Sequence, residues 1–290
     1  MSDSLPVVLV HGSWHGSWCW SAVTERLAAR GIRSVAVDLE GHGLHGPAPR
    51  SRWSRPFDPA AFAAEPSPVA DVTASSAAAL LIDRIRTIGA GRPCLVVAHS
   101  MGGVVATAVA ERAPELVAGL VYVAAFAPVS GEPAQFYVGT PEYAGEKVAH
   151  LIVGDPTATG AARIDPGAAE LRDDIKEAFY GDVDDRTVDG AIALLTTDAP
   201  RGIPGERLTV TKERYGSVPH SYVVCTRDNA IPVALQRRFV GEIDAVSAAP
   251  TKVTELESSH SPFLSQPAAL TEAIAAAVDS AAVSARVETA

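Results

Sequence analysis

The segment Ala98-His99-Ser100-Met101-Gly102-Gly103 follows the apolar run Pro93-Cys94-Leu95-Val96-Val97 and opens a helical pattern near Gly102. A small-x-Ser-x-Gly turn between a buried strand and a helix is a nucleophile elbow. The serine is forced into a tight conformation, its neighbours must be small, and its Oγ stands above the sheet edge. Ala98 occupies a position where glycine is more usual, and a methyl group is still small enough. The helix that starts after Ser100 also turns unpaired N–H groups toward the place where an oxyanion would form.

The rest of the chain repeats the strand-then-helix rhythm this turn requires. Residues 5–10 are an apolar run ending at His11-Gly12, as in a strand covered on both faces. Ser17 or Ser21 is expected to cap a helix running to Arg30, and Ser34-Val35-Ala36-Val37 forms the next strand. A helix over Thr73–Ile88 precedes the elbow strand, a helix to Arg112 follows it, and Val117–Ala125 is again an apolar strand. After residue 205 come a strand at Ser221–Cys225, a helix at Pro232–Ile243 and a strand at Lys252–Leu256. The last helix starts at Pro267, with Leu270, Ile274 and Val278 on one stripe, and is expected to fray beyond about Val283. Such alternation predicts an α/β fold, an open and mostly parallel sheet flanked by helices on both faces.

Two stretches interrupt the rhythm. Residues 44–68 carry many prolines and arginines together with Trp53, Phe57 and Phe62, and form either a mobile excursion or a flap over the site, the clustered aromatics favouring the flap. Residues 127–205 contain short helical patterns, many prolines and glycines, and no sheet-forming runs. They are expected to be an inserted cap lining a substrate pocket, leaving 1–126 and 206–290 as the core.

Open parallel sheets bind ligands at the carboxyl ends of their strands. Ser100, Asp228 and His260 each fall just after such an end. Singly, Asp228 could cap the following helix and His260 could be a loop histidine. Jointly, in the order nucleophile, acid, histidine, they match a catalytic triad: His260 takes the proton of Ser100, and Asp228 fixes the imidazole tautomer and stabilises the imidazolium. The His-Gly pair after the first strand lets backbone approach the substrate, so the N–H groups of Ser13 and Met101 are the expected oxyanion donors. His11 and His15 lack a metal-binding helix pattern and are expected to make structural hydrogen bonds. His99 belongs to the elbow, with its ring expected to point into the sheet.

Composition narrows the partners. A net charge of −10 argues against nucleic acid and anionic membranes, which need a basic face. No apolar run nears the roughly 18 residues of a spanning helix, and no basic leader precedes the first strand. Cys19, Cys94 and Cys225 are odd in number and far apart, as in reduced thiols of a cytoplasmic protein. The reading requires no cofactor and no metal.

The stretches His11–Trp20 (HGSWHGSWCW), Ala98–Gly103 (AHSMGG), Val223–Pro232 (VVCTRDNAIP) and Ser259–Leu264 (SHSPFL) resemble the α/β-hydrolase branch of plant methylesterases, hydroxynitrile lyases and bacterial pyrethroid-type carboxylesterases. The resemblance spans most of the chain outside the cap. It implies the same triad and oxyanion donors; the expected substrate pocket draws on Gly12, Trp14, Phe126, Phe136, Tyr137, Phe179 and Ser261. The cyanohydrin-cleaving members carry threonine where this chain has Gly12 and lysine where it has Ser261. That departure favours hydrolysis of a small-molecule carboxylic ester over elimination or ligand binding alone, by a chain acting as a monomer or homodimer.

Overall fold

The computed structural model describes residues 5–288. Six strands form one parallel sheet: β1 (Val7–Val10), β2 (Ser34–Val37), β3 (Cys94–His99), β4 (Val117–Val123), β7 (His220–Cys225) and β8 (Lys252–Leu256), in the order β2-β1-β3-β4-β7-β8. β1 and β3 are buried along their whole length, which is why they read as unbroken apolar runs. Their side chains alternate between two cores. Val8, Val10, Val96 and Ala98 face the helices Ala74–Gly89, Gly102–Arg112 and Val233–Val246. Val7, Leu9, Leu95 and Val97 face the helices Ser21–Ala29 and Pro267–Glu288.

Asp58, Thr73, Asp155 and Asp184 each cap a helix start with the side chain, accepting a backbone N–H of the first turn. Thr73 caps the helix Ala74–Gly89 in a reciprocal pair with Ser76. The first helix departs from expectation: a 3-10 turn at Ser17–Trp20 leads into it, Trp20 is the N-cap, and no side chain caps it. Ser17 instead donates its N–H to Asp38 Oδ1, and Ser21 Oγ donates to the Trp18 carbonyl. The last helix runs to Glu288, five residues past the expected onset of fraying, and residues 289–290 lie outside the described residues.

The chain leaves β1 for β2 on one side and returns to β3 on the other. At this switch point, where open parallel sheets bind their ligands, the ends of β1 and β3 bring His11-Gly12 against Ser100.

Between β4 and β7 lies the insertion. Contrary to the sequence reading, it holds a small antiparallel sheet, β5 (Ala161–Arg163) paired with β6 (Asp198–Pro200), beside the helices Arg172–Phe179 and Asp185–Ala193. Three-residue strands are too short to register as a sequence pattern. The insertion's apolar core, including Ile164, Ile175, Phe179 and Val188, is completed by Trp14 and Ala230 from the sheet domain. Ala134, Tyr137 and Tyr143 pack instead into the main core.

The 44–68 excursion folds onto the insertion. The buried Arg163 guanidinium donates two 2.7 Å hydrogen bonds to the Asp198 carboxylate and further bonds to the carbonyls of Phe62 and Glu65. It also lies 5.0 Å from the Phe62 ring centroid, and Ser67 N–H donates to the Thr159 carbonyl. Of the three aromatics, only Phe62 is buried.

Candidate active site

Ser100 and Met101 alone turn the chain from β3 into the following helix. Ser100 has φ of +53°, the left-handed region that a residue with Cβ enters at a cost. Its backbone is pinned on both sides: its N–H donates to the Val123 carbonyl, and its carbonyl accepts from Gly103 and Phe126. The two glycines are steric requirements. A Cβ at Gly102 would stand 2.3 Å from the His11 carbonyl oxygen, and one at Gly103 2.2 Å from that of Phe126.

Gly12 presses against the nucleophile from the neighbouring strand end. A Cβ there would lie 2.5 Å from Ser100 Cβ and 3.0 Å from its Oγ. The N–H groups of Ser13 and Met101 have no hydrogen-bond partner among the described residues, leaving two donors free beside Ser100. Trp14, at φ +61°, turns the chain away again. His15 donates Nδ1–H to the Ser13 carbonyl at 2.9 Å. Burial pushes its pKa down to about 4, so the ring is neutral at pH 7.

The acid and base come from the loops after β7 and β8. Asp228 Oδ1 accepts the N–H groups of Ala230 (2.7 Å) and Ile231 (2.8 Å), and Oδ2 accepts from Gln236 Nε2 (3.3 Å) and His260 Nδ1 (2.8 Å). Asp228 and His260 are both buried. Because the carboxylate oxygen is an acceptor, the histidine proton sits on Nδ1, and in the neutral ring Nε2 keeps its lone pair. Nε2 has no hydrogen-bond partner among the described residues, and no hydrogen bond joins it to Ser100 Oγ in this conformation. His99 nonetheless ties the two loops together. Its Nε2–H donates to the His260 carbonyl at 2.8 Å, and the two ring centroids are 4.5 Å apart. Burial lowers the His99 pKa well below the usual histidine value. The expectation that this ring points into the sheet is corrected. It projects onto His260 and Phe263 on the side of the last helix, because strand alternation gives residue 99 the facing of Leu95 and Val97.

The expected pocket residues divide. The Phe179 ring lies 5.7 Å from Trp14 and 6.0 Å from His260, and the N–H of Phe126 holds the Ser100 carbonyl. Ser261, beside His260, is fully buried with its hydroxyl unpaired. Phe136 and Tyr137 are not joined to Ser100, Asp228 or His260 by any hydrogen bond or ring contact among the described residues. Phe136 is 46% exposed, while Tyr137 packs its ring on Phe239 at 4.7 Å and donates its hydroxyl to Glu242. Other carboxylates are committed elsewhere: Asp38 to the N–H groups of Ser17 and Leu44, Asp198 to Arg163, Glu132 to Arg207. His11 uses both nitrogens structurally, toward the Gly12 carbonyl and the Leu39 N–H.

Sequence reasoning passed over Gln236. This buried amide bonds both backbone groups of Cys225, the Ile231 carbonyl and Asp228, locking the acid loop to β7. Its signal was a polar residue on the apolar stripe of Phe239 and Ile243.

The chain is 28% identical over 286 residues to a pyrethroid hydrolase of Sphingobium wenxiniae, covering 95% of this chain and 88% of that one. It is 26% identical over 273 residues to methylesterase 9 of Arabidopsis thaliana, covering 90% and 93%. The crystal structure of a pyrethroid hydrolase from Sphingobium faniae superimposes with a TM-score of 0.72 at 24% identity, covering 95% of this chain and 97% of that one. That of polyneuridine aldehyde esterase does so with 0.70 at 20% identity, covering 93% and 98%. The model of the alpha/beta hydrolase family matches residues 7–273, and the chain belongs to that family.

Proposed function

We propose that this chain is a cofactor-free serine hydrolase that cleaves a carboxylic ester of a small, largely apolar molecule through an acyl-enzyme. The observation that carries the reading is the buried Asp228–His260 pair, 2.8 Å apart, linked through His99 to a serine at φ +53°. Ser100 Oγ attacks the ester carbonyl as His260 Nε2 takes its proton, and the N–H groups of Ser13 and Met101 receive the oxyanion. His260 then gives that proton to the departing alkoxide. Water, deprotonated by the same nitrogen, releases the acid and restores Ser100. Asp228 orients the ring and stabilises it while charged. The Ser100–His260 hydrogen bond is expected to form with substrate, because such contacts often close only in the complex.

Relatives named for methyl-ester and pyrethroid hydrolysis support ester substrates, and Phe179 beside His260, with Trp14 packed on Phe179, suits an apolar acyl or alcohol group. Ser261 places a neutral hydroxyl, not an ammonium, directly after His260, which disfavours expulsion of cyanide. The test is a panel of methyl, aryl and lactone esters plus mandelonitrile, with wild type and Ser100→Ala side by side. Ester turnover should fall about 10⁴-fold or more in the variant. Equal rates in both proteins, or aldehyde release without ester hydrolysis, would overturn the assignment.

A further inference from the structure

A short stretch of the insertion, residues 177–182, reaches three of the four loops that bear the proposed machinery, all but the elbow itself. The Glu177 carbonyl accepts from Asn229 Nδ2 at 3.0 Å, next to Asp228 in the chain. Tyr180 is fully buried and donates its hydroxyl to His15 Nε2 at 2.8 Å. That same ring donates Nδ1–H to the Ser13 carbonyl. Asp182 accepts the Ser259 N–H at 3.1 Å on Oδ2 and the Ser259 hydroxyl on Oδ1, immediately before His260. Phe179, between them, lies 6.0 Å from the His260 ring.

A lid that merely covered substrate would need apolar contact and shape. These contacts are polar, directional and made with residues one or two positions from each functional group. Charge-assisted bonds to a carboxylate and a buried phenol–imidazole bond fix geometry more strictly than apolar packing does. Thr196 adds a fourth hold: its N–H and hydroxyl both donate to the Trp14 carbonyl, at 2.8 and 3.1 Å.

We propose that Tyr180 and Asp182 are positioning residues: Tyr180 sets the oxyanion turn through His15, and Asp182 sets the His260 loop through Ser259. The inference rests on the serine-hydrolase reading. The insertion is thus part of the catalytic geometry as well as a cover.

The test uses the full chain with Tyr180→Phe and Asp182→Asn, both nearly isosteric. Active sites are counted with a fluorophosphonate, and kcat and KM for an aryl acetate are measured per titrated site. Affinity for a trifluoromethyl ketone, which adds to the serine and fills the oxyanion position, is measured alongside. Each variant should lose about tenfold or more in kcat per site, with KM within twofold, and ketone affinity should fall by a similar factor. Unchanged kcat per site in both variants, or a loss accounted for by fewer titratable sites or by KM alone, would overturn the proposal. If Tyr180→Phe does not fold, Asp182→Asn carries the same expectation. Ser100→Ala run in parallel separates the two readings: retained turnover sinks the hydrolase assignment, whereas abolished turnover with normal Tyr180→Phe and Asp182→Asn sinks only this inference.

Discussion

The sheet scaffold and the insertion are held together by different forces. In the scaffold, two continuous apolar cores sandwich the strands, and each strand's alternation assigns its side chains to one core or the other. The insertion has a smaller core that borrows Trp14 and Ala230, and polar anchors do much of its docking: Arg163 and Asp198 toward the excursion, Tyr180 and Asp182 toward the catalytic loops. The scaffold therefore carries the proposed reacting groups just after the carboxyl ends of β3, β7 and β8, and the insertion is bonded to the loops that hold two of them.

The largest expected effect strikes the scaffold through acid. Burial pushes His11 down to about 3, His15, His42 and His220 to about 4, and His99 well below the ordinary value. The sign follows from linkage. Between those values and 6.5 the unfolded chain binds more protons than the folded one, so stability is fully present above pH 7 and is lost as pH falls. Each ring contributes a slope of about 1.4 kcal/mol per pH unit, against a total stability of about 5–15 kcal/mol. Melting temperature should be flat above pH 7 and drop steeply between pH 6 and 4.5. A melting temperature at pH 5 equal to that at pH 7.5 would contradict the neutral, buried rings.

Asp198→Ala attacks the insertion instead. It leaves the buried Arg163 guanidinium without its counter-charge and should cost about 3–5 kcal/mol. Hydrogen exchange should rise in 50–65 and in 148–200 while β1, β3 and β4 stay protected. Uniform exchange across the chain would show that the two regions unfold as one.

A pair of glycines gives the finest contrast. Gly12→Ala in the scaffold forces a methyl group onto Ser100 and should lower kcat about 100-fold through a displaced turn. Gly190→Ala, in the insertion helix Asp185–Ala193, meets nothing within 4 Å and should raise stability by about 0.5–1 kcal/mol with activity unchanged. Activity loss in both, or in neither, would erase the distinction.

The same contrast explains what could be read in advance. The strand Lys252–Leu256 and the helices on either side of the elbow were legible because periodicity is local, and Ser100, Asp228 and His260 were legible because each follows a strand end. Aromatic content says nothing of direction: Tyr137 turns into the main core and Phe136 is exposed. Trp14 at φ +61° and the Tyr180–His15 bond, spanning 165 residues, leave no periodic trace. Short strands such as β5 are created by pairing, not propensity.

The account depends most on Ser100 being the attacking group. Inactivation with a fluorophosphonate, followed by peptide mapping by mass spectrometry, tests this directly. One phosphonyl adduct per chain on Ser100, formed in step with loss of esterase activity and absent from Ser100→Ala, is the predicted result; complete inactivation with Ser100 unmodified would contradict it.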